Sequence, residues 1–148
     1  MKKQIIIKDQ NKALTDSDVL KFEEKIGVSL PIEYREFILL NNGGEPTPDV
    51  FPLIEHPLSA KDILNRFLCI EEEDMYDILY MKDLLKDRLP NDLLPIAVDP
   101  GGNLICLGTR GERYSKIYFC LLDEGDSGEI TIYYLANTFT EFLESLHD

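Results

Sequence analysis

Between Leu93 and Leu135 one pattern recurs four times, and it leaves few folds open. Residues 95–99, 103–108, 116–122 and 130–135 are short, apolar, β-prone runs with turn-forming residues between them. The connections "PGG", "TRGERYS" and "DEGDSGE" suit hairpins and are too short for the helical crossovers that parallel strands need. The expectation is an antiparallel meander of four or more strands. Its first connection, within "LLPIAVDPGGNLICLGTRG", poses a functional question: phosphate cradle or plain turn? A phosphate loop needs glycines followed by a helix whose N-terminus faces the anion. Here "NLICLG" follows, a β-prone run, and there is no G-x-G-x-x-G or G-K-[ST]. Asp99, Gly101, Gly102 and Asn103 therefore read as a tight reversal.

Helical patterns flank the meander. Thr15 caps a helix whose Val19, Phe22 and Ile26 form one apolar stripe, closed by Gly27. Pro31 sits in the first turn of a second helix, with Tyr34, Phe37, Ile38 and Asn41 on one face and Gly43-Gly44 at its end. In the middle, "VFPLIEHPLS" reads as an edge or loop, because Pro52 and Pro57 interrupt it. "AKDILNRFLCI" fits either helix or strand, and a short helix followed by a strand near residues 67–70 is the favoured reading. A helix is expected from about Asp74, with acids leading and Lys82, Lys86 and Arg88 trailing, as the helix dipole favours. "TFTE" is a capping box for a closing helix that turns Phe139, Phe142, Leu143 and Leu146 inward. The fold class is α+β, with N-terminal helices and a closing helix packed on the sheet, in one domain spanning residues 1–148.

Charge narrows the function. The net charge is −13, yet residues 1–30 carry six basic and five acidic side chains, whereas residues 121–148 carry seven acids and no Lys or Arg. Such a surface argues against nucleic acid and anionic lipid as partners, and would steer a basic protein toward it. The longest unbroken apolar run, residues 117–122, is far short of the ~18 residues needed to cross a bilayer. "MKKQIIIKDQ" lacks the apolar stretch of a secretory signal, so a cytoplasmic chain is expected. Cys69, Cys106 and Cys120 are odd in number and lie in or beside apolar runs, as small core residues do.

No catalytic or metal-binding constellation emerges. His56 and His147 are the only histidines; neither has partners at metal-ligand spacing, and His147 lies where chains fray. "DEGDSGE" lacks the residue order of a calcium loop, and no G-x-S-x-G is present. With 28 acids, a Glu/Asp acid–base pair stays open at this point. No cofactor is expected.

Three segments resemble the SUKH superfamily, which includes bacterial immunity proteins and fungal cell-wall regulators of the Smi/Knr type. "SLPIEYREFILLNNGGEP" is similar to the family's L-P-x-x-Y-x-x-F-L…N-G-G signature. "LLPIAVDPGGNLICLGT" resembles its L-P-I-A-x-D-x-G-G-(N/D)-x-I-x-L segment. "KIYFCLLDE" with "LANTFTEFLESL" resembles its I-Y-F strand and closing helix. The chain departs from the family in having no Trp, which relatives often carry. The resemblance implies an α+β fold, no enzymatic activity, and a role in binding and neutralising a toxin, with a regulatory scaffold as the alternative. It also implies that Pro31, Tyr34, Phe37, Gly43, Gly44, Pro95, Asp99, Gly101, Gly102, Asn103 and Phe142 are structural. The expected partner is a basic toxin domain, a nuclease being one candidate class. The expected contact surface is two acidic groups: Glu71, Glu72, Glu73, Asp74 and Asp77, and Asp123, Glu124 and Asp126.

Overall fold

The computed structural model describes residues 4–57, 59–122 and 129–148. After a short strand, β1 (Ile6–Lys8), the Thr15 hydroxyl accepts from the Asp18 N–H while the Asp18 carboxylate accepts from the Thr15 N–H. This reciprocal cap starts α1 (Asp16–Ile26), which buries Val19, Phe22 and Ile26 and ends at left-handed Gly27. Glu23 fixes the turn into the next helix, accepting from the Leu30 N–H at 2.7 Å and pairing with Arg35 at 3.4 Å. In α2 (Ile32–Leu40), Pro31 is the N-cap, one place earlier than the spacing suggests, and Tyr34 and Ile38 are buried.

Gly43 and Gly44 do not end α2. Asn41 does, donating its N–H to the Phe37 carbonyl. The glycines serve a close crossing instead. A Cβ on Gly44 would stand 2.5 Å from the Lys8 carbonyl oxygen, at a φ of +113° that side chains avoid. The crossing lets β2 (Glu45–Thr47) pair antiparallel with β1, an element pair absent from the sequence expectation.

The short helix expected after Ala60 is replaced by strands. Here β3 (Val50–Pro52) pairs with β4 (Lys61–Ile63), and β5 (Arg66–Phe67) joins the main sheet. Buried Leu64, Phe67 and Leu68 imitate helical spacing. Their N–H groups nevertheless donate across the chain, to the carbonyls of Asp49, Gly44 and Ile96. The next helix, α3 (Ile78–Leu84), starts four residues later than expected, because Asp77 caps it and the preceding acids fold as a turn.

The meander follows the sequence closely. β6 (Leu93–Val98), β7 (Leu104–Gly108), β8 (Ile117–Leu121) and β9 (Thr131–Ala136) extend from β5 in the order β5-β6-β7-β8-β9, all antiparallel. Every residue of β6 and β7 is buried, so both faces at the sheet's centre are covered. Pro95 sits inside a central strand, and the β6–β7 register shifts just beyond it, an accommodation for the missing ladder donor. The Pro-Gly-Gly segment is a turn: the Asp99 carboxylate accepts from the Asn103 N–H and side-chain amide at 2.7 and 3.1 Å. Gly102 lies at φ +89°, whereas Gly101 has no left-handed requirement.

The closing helix α4 (Phe139–Ser145) is capped by the Thr138 hydroxyl, which accepts from the Glu141 N–H. Glu141 reaches back one residue further than a full capping box, to the Asn137 N–H at 3.0 Å. Phe142 packs on Phe51, and Phe139 on Tyr34 and Phe37, with ring centroids 4.8–5.6 Å apart. Glu33 accepts from the Thr140 N–H, tying α2 to α4. The end of the chain is held rather than frayed. His147 and Val50 exchange backbone hydrogen bonds of 2.8 and 3.0 Å.

Candidate functional site

The turn between β5 and α3 gathers the first acidic group, and three side chains lock its backbone. Asn42, only 2% exposed, donates from its amide to the Lys12 and Ile70 carbonyls and accepts from the Ile70 N–H at 2.8 Å. Asp74 accepts from the Tyr76 N–H at 2.7 Å and from the Asn11 amide at 2.8 Å. These bonds, the Tyr76 N–H foremost, hold its carboxyl below the usual value. Asp77 accepts from the Glu71 and Tyr80 N–H groups at 2.9 and 3.0 Å.

The five acids of this group therefore divide. Asp77 is 7% exposed and turned inward, so it is a cap rather than a contact, which corrects its place among the surface acids. Asp74 is half-buried and occupied by its loop. Glu72 and Glu73 project into solvent, with Glu71 half-buried beside them. Glu73 sits at a φ of 68°, uncommon for a residue with a side chain, at the tip of the turn next to exposed Met75. Glu72 pairs with Lys25 at 3.7 Å, both well exposed, a contact of little energetic weight. The second group, Asp123, Glu124 and Asp126, lies outside the described residues.

Concavities flank the turn. Toward α1 a cavity of about 300 Å³ is lined by Lys12, Lys21, Lys25, Phe22, Glu71 and Glu72. On the other side a shallow hollow of about 570 Å³ runs past Asp74, Met75 and Tyr76. There the Arg66 guanidinium stacks 4.9 Å over the Tyr76 ring and pairs with Glu45.

The acid pair left open by the sequence exists, but it joins β4 to the β6–β7 turn. Asp62 lies against Asp99, and burial first, then that neighbour, pushes its carboxyl up to about 7. Its Oδ2 is buried without a hydrogen-bond partner. The three cysteines are buried; Cys106 contacts Cys120, and burial pushes its thiol up, away from the reactive thiolate. Among the described residues no group of three or more His, Cys, Asp or Glu side chains could hold a metal ion. None of the described helices is long and apolar enough to cross a membrane. His56 stacks near Tyr133 and accepts from the Ser59 N–H.

An antiparallel sheet closed by α4, with an acidic turn braced by Asn42, defines an α+β domain that offers a shaped surface. A model of the SMI1 / KNR4 family (SUKH-1) matches residues 13–145, and the chain belongs to that family. It is also similar to the SPbeta prophage-derived uncharacterized protein YokK of Bacillus subtilis (strain 168). The two are 28% identical over 149 residues, covering 90% of this chain and 75% of that protein. Membership supports a toxin-immunity or SMI1/KNR4-like role in general, in a family whose members generally bind protein toxins and lack catalysis.

Sequence reasoning missed Asn42, the residue that organises the site. Its only signal is its place ahead of Gly43-Gly44, where a stop to α2 was the simpler reading.

Proposed function

We propose that this chain is a cytoplasmic immunity protein that binds a toxin domain as a single domain and neutralises it by contact, without chemistry. The observation that carries this reading is the SUKH-1 match across residues 13–145. The prophage origin of the relative from Bacillus subtilis fits it, since toxins and their antidotes suit mobile elements.

The acidic turn supplies the contact. Glu71, Glu72 and Glu73 stand on a backbone fixed by Asn42, Asp74 and Asp77, so little ordering cost remains on binding. A nuclease toxin needs basic surface to hold phosphates, and an acidic knuckle competes for it. Asp123, Glu124 and Asp126 form the second acidic contact in this reading.

Co-expression with the product of the adjacent gene, followed by pull-down and a survival assay, tests the proposal. Capture of a toxin and rescue of growth are expected. Capture of a housekeeping protein, with no toxin gene alongside, would instead favour a regulatory scaffold like that of the fungal relatives.

A further inference from the structure

In a chain of net charge −13, three lysines surround one cavity. The cavity, about 330 Å³, lies between α1 and α3. Ile26, Leu79 and Leu89 give it an apolar lining, and Lys25, Lys82 and Lys86 outnumber the one acid in its wall, Asp83. Arg110 adds a fourth cation at this end of α1, donating from Nη2 to the Ile26 carbonyl at 3.1 Å.

The charges here are poorly neutralised. Lys25 and Lys86 have only long, exposed ion pairs, with Glu72 at 3.7 Å and Asp83 at 3.8 Å. Lys82 is half-buried and makes no ion pair among the described residues. The nearby carboxylate of Asp92 is engaged by Arg113, at 3.1 and 3.2 Å. Burial, then the Arg110 charge, lowers the Lys82 pKa, as expected where a cation lacks its counterion. The cavity also shares Lys25 and Leu79 with the cavity beside the acidic turn, where Lys12 and Lys21 face Asp18, Glu71 and Glu72, so the basic stretch ends at Lys25.

We propose that this groove between α1 and α3 docks an acidic segment of a protein partner. One apolar side chain of the segment fills the space over Ile26, Leu79 and Leu89, and flanking carboxylates meet Lys82, Lys25 and Lys86. Ile26 and Leu89 are already buried, so half-exposed Leu79 is the apolar surface left to cover, which a peptide side chain does and a bare anion does not. The proposal differs from the toxin reading in the charge of its partner; the groove borders the acidic turn at Lys25, and its test falls on Lys82 and Lys86, which that reading does not use.

The test is an NMR titration of the isotope-labelled full chain with a synthetic peptide of Asp and Glu around a central Phe. Three companions complete it: the same peptide with Asn and Gln for the acids, inorganic phosphate, and the variant Lys82→Gln. Saturable shifts at Ile26, Leu79, Lys82 and Leu89 are expected. The amide peptide should bind at least about tenfold more weakly, and Lys82→Gln should weaken the acidic peptide by about the same factor. Lys86→Gln serves as a second variant, on an exposed side chain that the fold does not need. Shifts that map elsewhere, equal binding of the amide peptide, no saturable binding, or phosphate binding where the peptide does not would each overturn the proposal.

Discussion

The Asp62 carboxyl rests against the Asp99 carboxyl where the β3–β4 hairpin meets the β6–β7 turn. Asp99 is already an acceptor for two Asn103 donors, and burial beside it favours the protonated form of the Asp62 carboxyl. The folded state thus keeps a proton that an unfolded Asp would release above its ordinary value of 3.8. This contribution is fully present below that value and is lost as pH rises through about 7. Asp18, Glu33 and Asp74 act oppositely: their carboxyls are lowered, so their stabilisation is lost as pH falls below the ordinary range. Urea midpoints measured from pH 4 to pH 8 should decline across the Asp62 window in the parent protein. In Asp62→Asn that decline should flatten, and an unchanged slope would show that Asp62 is not the titrating group.

Phe142 is 1% exposed and packs on Phe51 and Phe139. Truncation to Ala leaves a cavity at the base of α4 and should cost about 3–5 kcal/mol in equilibrium unfolding. A variant as stable as the parent would detach α4 from the core.

Which parts of this arrangement were legible follows from where their determinants lie. Val19, Phe22 and Ile26 declare α1 because the pattern and the Thr15 cap are local. The four meander strands are legible for the same reason: each apolar run is bounded by its own turn residues. Leu64, Phe67 and Leu68 mislead, since their spacing is helical while their hydrogen-bond partners lie far along the chain. The β1–β2 pair depends on Gly44 passing beneath Lys8, a contact no local pattern announces. At the site, the acidity of the turn was plain. The inward turn of Asp77 and the bracing by Asn42 were not, because both depend on backbone groups brought in from other segments.

Asn42→Ala tests that bracing. It would leave the half-buried Ile70 N–H and the Lys12 carbonyl without the partners they have now, at a cost of about 1–3 kcal/mol. Hydrogen exchange at Ile70 and Glu71 should speed up more than in the β6–β7 ladder. Uniform acceleration would mean that Asn42 supports the whole fold rather than the turn.

The two turn glycines should behave differently. Gly102→Val forces a branched side chain into a φ of +89° and should destabilise by about 1–2 kcal/mol or more. Gly101→Val should cost less, because its Cβ would meet only ordinary contacts at 3.6 Å. Thermal denaturation separates the two. A nucleotide affinity abolished by either change would return the segment to the phosphate-loop class.

The most direct test of the toxin-binding claim is the association rate with the captured toxin domain, followed as salt is raised. The comparison is between the parent and the triple variant Glu71→Lys, Glu72→Lys, Glu73→Lys. Steering by the acidic turn predicts an on-rate at low salt reduced about tenfold or more, a smaller change in dissociation rate, and a nearly unchanged melting temperature. An on-rate and salt dependence equal to the parent's would contradict the account and place the toxin contact away from this turn.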